Sequence, residues 1–214
     1  MMTLYLVRHG ETELGRAGRY SGESDPPLDE VGAAMARALA QGYAGERFDA
    51  LYASPQRRAL ETIAPLALHL NQTVAPEPRL CEMRYGAWDQ LTAAEIRERD
   101  AERFAAWESD PARVAPPGGE TAVEVAARAL PAIADLRRRH AGGCVLVLSH
   151  KTTIRVLLCS FLGIDVRLHR RRFAMPLGAI NVIEFAADGD ARLVRLADRS
   201  YLPPDLLVAA GAEA

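Results

Sequence analysis

The chain has 214 residues, of which 49% are hydrophobic and 25% charged, the composition of a soluble globular protein with one domain. Its formal net charge of -2 gives no reason to expect nucleic acid or a membrane as a partner. No apolar run approaches the roughly 18 residues of a membrane span. The N-terminus also lacks a secretory signal, so a cytoplasmic location is expected. The three cysteines fit a reducing compartment, because they form neither a metal spacing nor an even disulfide set.

Predicted strands alternate with predicted helices in the first half of the chain, the pattern of βαβ units and a parallel sheet. The first strand covers residues 3–7, and a helix with one apolar stripe covers residues 28–39. A second strand covers residues 49–53. Ser54 is the expected N-cap of the next helix, which has a proline in its first turn and reaches about residue 70.

Capping boxes mark two helix starts in the second half, because Thr92 and Thr121 are each followed by a glutamate three residues later. The other predicted elements are a loop at 116–119, a buried strand at 144–148, a helix at 152–162 and a hairpin of strands at 178–185 and 192–197. The tail at 203–214 is rich in Pro and Ala and is expected to be frayed, which leaves a single domain over 1–202.

Two predicted buried strands each end in a histidine. Arg8 and His9 follow the first strand, and His150 follows the strand at 144–148. Because parallel strands end at the same edge of a sheet, where open α/β folds bind ligands, we expect the two imidazoles to converge there.

Four segments, taken in order, resemble the histidine phosphatase superfamily, whose members are phosphoglycerate-mutase-like. RHGET at 8–12 is similar to its RHG signature, SPQRRALET at 54–62 to its SxxxRAxxT segment, and EMRYGAWD at 82–89 to its ExxxGxWE segment; the fourth is the second histidine, His150. The resemblance implies a three-layer α/β/α fold with a mostly parallel central sheet. It also implies a phosphatase that acts on a small phosphomonoester through a phosphohistidine, without metal or organic cofactor.

The resemblance places His9 as the nucleophile, Arg58 as a catalytic arginine and Glu82 as the proton donor. Arg8 and Arg58 would neutralise the phosphate oxygens with permanently charged donors, and His150 would add a third if it is protonated. We expect His9 to be neutral and to donate one ring N–H to a backbone carbonyl, so that the other nitrogen can attack. Backbone N–H groups at the helix starts after Ser54 and after His150 would also suit the anion. The adjacent Arg57 should be solvated.

Candidate substrate-binding residues surround this set: Thr12, Ser21, Gly22, Arg84 and Lys151. Thr12 has two interpretations, a phosphate ligand or a helix cap. Ser21 and Gly22 resemble a short substrate-side segment of the family. Lys151 stands where the family usually has glycine, and it either reaches the far end of the substrate or points to solvent. Gly15 replaces an asparagine that contacts phosphate in the family.

Four alternatives to a metal-independent phosphatase were weighed against the sequence. Hydrolysis is favoured over mutase activity because the region at 84–149 is compact. A non-catalytic phospho-ligand module is disfavoured, since binding needs neither a nucleophile nor an acid. A metal site and a nucleotide-binding loop at 143–152 are also disfavoured, because their spacings are missing.

The remaining histidines and the main basic cluster are interpreted as surface residues without a role in the reaction. His69, His140 and His169 are expected at the surface, and the cluster at 167–172 is interpreted as a solvated helix face rather than a device that attracts an anionic substrate. A homodimer is plausible by analogy. The sequence does not name the phosphorylated metabolite, since many present the same reacting group.

Overall fold

The computed structural model describes residues 1–209, with side chains for residues 1–207. Six strands form one sheet in these residues: β1 Met2–Arg8, β2 Ala50–Ala53, β3 Val74–Pro76, β4 Cys144–Ser149, β5 Ile180–Phe185 and β6 Ala191–Asp198. Their order is β3-β2-β4-β1-β5-β6. The first four strands in this order are parallel, and β5 and β6 are antiparallel to their neighbours. The predicted mostly parallel sheet and the late hairpin are therefore confirmed.

The helices are α1 Glu13–Arg16, α2 Glu30–Gly42, α3 Arg57–Leu70, α4 Ala93–Arg99, α5 Ala101–Ser109, α6 Ala122–Arg139, α7 Lys151–Phe161, α8 His169–Arg172 and α9 Pro204–Ala209. Short 3-10 turns lie at Pro78–Leu80, Gly86–Trp88 and Val166–Leu168. Within the described residues, none of the helices is both long enough and apolar enough to cross a membrane.

Two layers of helices cover the sheet because the strand residues alternate between its faces. In β4, Leu146 and Leu148 pack in the cluster that contains α2 and α3, whereas Val145 and Val147 pack in the cluster that contains α6 and α7. Each fully buried aliphatic side chain of this kind stabilises the fold by about 1.5–3 kcal/mol. The three-layer α/β/α architecture is thereby confirmed.

Of the three N-caps predicted from the sequence, two cap a helix in the structure and one does not. Thr92 and Thr121 each form the predicted capping box. Ser54, however, does not cap α3, which begins three residues later at Arg57 after Gln56. The backbone N–H of Ser54 still belongs to the sheet edge, because it donates to the Leu148 carbonyl. Its hydroxyl accepts from the Gln56 N–H and so stabilises the turn before the helix.

The tail differs from the expectation of fraying. Its first part forms α9, where Leu206 and Leu207 pack against a buried cluster that includes Met35 and Leu202. This burial of leucines explains the helix. The remainder of the predicted frayed segment, residues 210–214, lies outside the described residues.

An aromatic cluster, formed by Tyr20, Tyr85, Trp88, Phe104 and Trp107, joins α5 to the segments at 20–22 and 82–89. The Trp107 ring lies at the centre, 5.5 Å from Trp88 and 5.6 Å from Phe104 between ring centroids. Tyr20 and Tyr85 lie 4.8 Å apart on one side of it. Edge-to-face and tilted contacts of this kind add to the burial energy of the rings and fix α5 beside α7.

Candidate active site

The ends of β1 and β4 bring His9 and His150 together. Arg8 and Ser149 are partners in the parallel register, and the His9 N–H donates to the Ser149 carbonyl at 3.2 Å. The two imidazole centroids are 5.1 Å apart, and both rings are buried. The convergence at one sheet edge is the arrangement expected from the two strand ends.

The ring of His9 is oriented by its own backbone. Its Nδ1 lies 2.8 Å from the Gly10 carbonyl oxygen, and since a carbonyl only accepts, Nδ1 carries the proton and donates. When the ring is neutral, its lone pair is therefore on Nε2. Gly10 leaves no room for a side chain, because a Cβ would lie 2.8 Å from the Gly32 carbonyl oxygen. This close approach packs the His9 loop against the start of α2.

Two arginines beside the histidines are held by backbone carbonyls. Arg8 donates from Nη1 to the Met175 carbonyl at 2.6 Å. Arg58 is only 1% exposed and donates to the Ser24 carbonyl at 3.0 Å and the Ser21 carbonyl at 3.1 Å. In contrast, Arg57 is exposed and pairs with Glu61, in agreement with its predicted solvation. The Asp25 carboxylate lies 3.9 Å from Arg58 Nη1, so Arg58 also has a longer ion pair. The carbonyl contacts themselves fix each guanidinium without cancelling its charge.

His150 would be a third cation only if its ring is protonated, a condition that the sequence left open. Burial lowers its pKa well below the ordinary value, and the neighbouring charges of Arg58 and His9 lower it further. The ring is therefore neutral at neutral pH in this environment. Within residues 1–209, neither of its nitrogens has a hydrogen-bond partner. A neutral imidazole retains one N–H to donate to a phosphate oxygen.

The carboxylate of Glu82 lies at the N-terminus of α7 and accepts several hydrogen bonds there. Oε1 accepts from the backbone N–H groups of Met83 at 2.8 Å and Thr153 at 3.2 Å, and from the Thr153 hydroxyl at 3.4 Å. Oε2 accepts from the Thr152 N–H at 3.1 Å. The expectation that amides of this helix would bind phosphate is therefore wrong for Thr152 and Thr153, because a carboxylate already occupies this favourable position.

The first backbone N–H groups at the start of α3 also have partners within the protein. The Arg57 N–H donates to Asp25 at 2.6 Å, and the Gln56 N–H donates to the Ser54 hydroxyl. These first amides are therefore bound within the protein, and the guanidinium of Arg58 is the donor that α3 contributes.

Arg128 and Glu120 hold the backbone on both sides of Glu82, and sequence analysis missed both. Arg128 donates to the carbonyls of Arg79, Cys81 and Glu82 at 2.7, 2.9 and 3.0 Å. Glu120 accepts two hydrogen bonds from Arg128 and one from the Arg84 N–H at 3.0 Å. The only local signals were a glutamate after a Pro-Gly-Gly loop and an arginine eight positions later in a helix.

The segment at 21–24 is fastened to the Glu82 segment by two side chains. Asp89 accepts from the N–H groups of Gly22 at 2.6 Å and Ser24 at 2.9 Å. Gln56, which the sequence analysis also missed, donates to the Gly22 carbonyl at 2.5 Å and accepts from the Glu82 N–H at 2.9 Å. These bonds position the carbonyls of residues 21 and 24 that bind Arg58.

The other candidate substrate-binding residues lie around this centre. Thr12 is buried, and its hydroxyl accepts from the Gly15 N–H at 3.1 Å. Of its two interpretations, the structure shows the helix cap, at the start of α1. Arg84 is exposed, with Nη2 3.9 Å from Glu120. Lys151 is partly buried and is the first residue of α7. Contact of Ser21, Gly22, Arg84 or Lys151 with a substrate stays a prediction.

His169 is buried, although the sequence suggested a surface position. It lies in the short helix α8, which packs on α7. Burial lowers its pKa to about 3, with Arg155 and Arg170 lowering it further. His69, by comparison, is exposed and His140 is partly buried against Tyr52.

No group of three or more His, Cys, Asp and Glu side chains within residues 1–209 is arranged to hold a metal ion. The charges around the two histidines are instead the guanidinium groups of Arg8 and Arg58 and the Glu82 carboxylate. An arrangement with two buried cations and a fixed imidazole suits an anion such as phosphate.

Comparison with known proteins identifies relatives of this chain. Phosphoserine phosphatase 1 of Hydrogenobacter thermophilus is 36% identical over 166 residues, which cover 78% of this chain and 79% of that protein. Bifunctional protein Rv2228c of Mycobacterium tuberculosis is 38% identical over 203 residues. That match covers 92% of this chain and 54% of the relative, so the chain spans about half the relative's length.

The fold of this chain is also similar to those of solved structures. Bacillus stearothermophilus YhfR superposes with a TM-score of 0.88 at 31% identity, covering 94% of this chain and 99% of that chain. The model of the histidine phosphatase superfamily (branch 1) matches residues 4–199. This match includes both histidines, both arginines and Glu82. The chain therefore belongs to the histidine phosphatase superfamily.

Proposed function

We propose that this chain is a phosphatase that hydrolyses phosphomonoesters of small metabolites through a phosphohistidine on His9. The observation that carries the proposal is the hydrogen bond from His9 Nδ1 to the Gly10 carbonyl, because it leaves Nε2 as the nitrogen that can attack, in a ring whose centroid lies 5.1 Å from that of His150. Phosphoserine phosphatase 1, a relative of this chain, is named for hydrolysis of a small phosphomonoester.

In the first step, Nε2 of His9 attacks phosphorus, and the bond from phosphorus to the alcohol oxygen breaks. The dianionic phosphoryl group would repel a nucleophile unless its oxygens were bound by donors that lie in place beforehand. Arg8 and Arg58 supply permanent positive charge, and His150 supplies an N–H. The hydrogen bond of Nδ1 to Gly10 stabilises the positive charge that His9 acquires.

The form of the enzyme that starts the reaction has Glu82 protonated, and Glu82 gives the departing alkoxide this proton. Oε1 accepts three hydrogen bonds and Oε2 accepts one, so we assign the transferable proton to Oε2. In the second step the resulting carboxylate takes a proton from water, whose oxygen attacks phosphorus and breaks the bond to Nε2. Inorganic phosphate leaves, and His9 and Glu82 return to their starting states.

The proposal requires neither metal nor cofactor, because the arginines supply the charge that a divalent ion would otherwise provide. We favour hydrolysis over mutase activity, since the region at 84–149 is compact and folds into three helices beside the site. A protein that only binds phosphorylated ligands needs neither an oriented nucleophile nor an acid. The oriented ring of His9 and the hydrogen-bonded Glu82 side chain therefore favour an enzyme.

A screen of phosphorylated metabolites and p-nitrophenyl phosphate by release of inorganic phosphate tests this proposal. We expect turnover in excess chelator and inhibition by vanadate, which imitates five-coordinate phosphorus. Loss of activity in chelator with recovery on adding a divalent ion would contradict the metal-independent route. Faster formation of 2-phosphoglycerate than of phosphate from 3-phosphoglycerate, with 2,3-bisphosphoglycerate present, would instead identify a mutase.

A further inference from the structure

A second group of basic and polar side chains lies between α7 and α8, beside the proposed catalytic centre. We call it the α7–α8 wall, and it consists of Arg155, His169, Arg170 and Trp107. Helix α7 starts directly after His150, and Arg155 lies one turn after Lys151 on it. Helix α8 leads to Met175, whose carbonyl binds Arg8. The wall is therefore attached at both ends to residues of the catalytic centre.

The wall contains buried donors without acceptors. Arg155 Nε, Arg170 Nη1 and Trp107 Nε1 are all buried and have no hydrogen-bond partner within residues 1–209. Each of these atoms can only donate. Leaving such a group unpaired is unfavourable, and more so for a charged group, so three of them in one place require an explanation.

The charge of the wall is only partly compensated, because one carboxylate, that of Glu108, pairs with Arg170 in the described residues. The pKa of Arg155 falls to about 10, first because of burial and then because of the positive charges of Arg8 and Arg170. The neighbouring Glu82 carboxylate already accepts four hydrogen bonds, and the half-exposed Glu108 lies 4.0 Å from Arg170 Nη2. His169 is neutral and cannot supply a negative charge. The wall therefore favours an anion.

The guanidinium of Arg170 is held in place by an aromatic ring rather than by carboxylates. Its Cζ lies 4.2 Å from the centroid of the Trp107 ring, a stacked arrangement in which the N–H groups lie at the edge of the guanidinium plane. The Tyr20 hydroxyl is one hydrogen-bond partner of Arg170, and Nη1 is the donor that has none in the described residues and can bind a planar or tetrahedral anion. Trp107 is itself fixed by the aromatic cluster.

We propose that the α7–α8 wall is a second anion-binding subsite, which takes a carboxylate or a second phosphate carried by the alcohol half of the substrate. The proposal rests on the proposed phosphatase function, because it assumes that the phosphoryl group lies at His9. It assigns Arg155 and Arg170 to substrate selection rather than to the reaction at phosphorus.

Two pairs of substrates test the subsite. 3-Phosphoglycerate and glycerol 3-phosphate differ in a carboxylate at one end, and fructose 1,6-bisphosphate and fructose 6-phosphate differ in a second phosphate. For each pair we measure the ratio of kcat/KM for the more anionic substrate over the less anionic one. We expect this ratio to exceed one in the wild type for at least one pair. The pair that responds identifies the anion.

The variants Arg155→Met and Arg170→Met should each lower that ratio by about 10- to 100-fold, as expected when a hydrogen bond to a charged group is lost. Arg167→Met is the matched control, because Arg167 belongs to the same basic stretch but is exposed and pairs with Asp165. It should leave the ratio unchanged. Arg155→Lys and Arg170→Lys, which retain the charge but lose the forked donors, should lower the ratio by a smaller factor.

The two proposals fail in different ways. A wild type that releases no phosphate from p-nitrophenyl phosphate overturns the phosphatase function. An active wild type with ratios at or below one for both pairs overturns the subsite alone, whether or not the variants fold. Equal effects of the Arg155, Arg170 and Arg167 substitutions on the ratio would also overturn it.

Discussion

Four arginines at and beside the site, which are buried or partly buried, are of two kinds. Arg58 and Arg128 donate to backbone carbonyls of the segments at 21–24 and 79–82, so their positions are fixed by the protein itself. Arg155, one turn along α7, and Arg170, the second residue of α8, each keep a buried donor atom without a partner in the described residues. Arg58 and Arg128 stabilise the site, and Arg155 and Arg170 have donors that can bind an anionic group of the substrate.

This difference corresponds to the two halves of a phosphomonoester. The phosphoryl group is the same in every substrate, so the groups that bind and transfer it can be held permanently in one geometry. The alcohol half varies between substrates, and its binding groups need donors that only the correct substrate satisfies. Substitutions in the two regions should therefore have different effects.

The largest effect is expected for Glu82→Gln. A proton donor matters in proportion to the basicity of the leaving group. Phosphoenzyme formation from alkyl phosphates should slow by about 10²- to 10⁴-fold, and formation from p-nitrophenyl phosphate much less. Single-turnover measurement is required, because Glu82 also assists the later attack by water. Equal slowing with both substrates would mean that Glu82 only positions other groups, and Glu11 would be the next candidate acid.

Arg58→Ala should cost about 10²- to 10³-fold in kcat, the usual loss when one preorganised donor to developing charge is removed. Its matched control is Arg57→Ala, since Arg57 is the exposed neighbour that pairs with Glu61. That variant should change kcat by less than about two-fold, consistent with the small energy of a surface ion pair. Similar losses in the two variants would contradict the assignment of Arg58 to the phosphoryl group.

Arg128→Met should act through the position of Glu82. Without the guanidinium, the carbonyls of Arg79 and Glu82 lose this donor, and the Cys81 carbonyl retains the Thr153 hydroxyl. The Glu82 segment is then held less firmly. A displacement of about 1 Å can cost about 10²-fold in rate, so we expect a loss of about 10- to 100-fold with alkyl phosphates. The loss should be smaller with p-nitrophenyl phosphate, as for Glu82→Gln.

The control for this variant is Arg138→Met, because Arg138 lies on the same helix but is exposed. Its activity should equal that of the wild type. A loss in Arg128→Met that is identical for both leaving groups would show a general structural defect rather than misplacement of the acid.

The smallest effect concerns stability at low pH and His169. Its folded-state pKa of about 3 lies below the unfolded value near 6.5, so between these values the unfolded chain binds a proton that the folded protein does not. Stability should therefore fall as the pH falls from about 6.5. From pH 7 to pH 5 this one residue should cost about 2 kcal/mol.

Urea unfolding at both pH values measures this effect. His169→Phe should lose about 2 kcal/mol less than the wild type over that interval, whereas substitution of the exposed His69 by Asn should lose as much as the wild type. Parallel losses in the wild type and in His169→Phe would show that His169 is protonated in the folded state.

The sequence predicted features that depend on local pattern. The strand ends at His9 and His150, both capping boxes and the late hairpin follow from apolar runs, caps and turn residues that are contiguous in the chain. The three-layer fold followed from their alternation and from the family resemblance. Ser54 misled because the same residue type that caps a helix also forms a turn at a strand end.

The features that were missed depend on contacts between distant segments. Gln56, Arg128 and Glu120 are unremarkable in the sequence, since their partners are backbone atoms up to 49 positions away, which no pattern records. The burial of His169 and the neutral state of His150 have the same origin. A pKa is set by the groups that the fold packs around a side chain, and these are not its neighbours in sequence.

The most direct test of the central claim is a rapid-quench search for the phosphoenzyme. With labelled substrate, the account predicts an adduct that acid destroys and base preserves, because a phosphoramidate is acid-labile and a phosphoserine is not. His9→Ala should form no adduct and show no turnover. An adduct retained in His9→Ala, or one that survives acid, would contradict the assignment of His9 as the nucleophile.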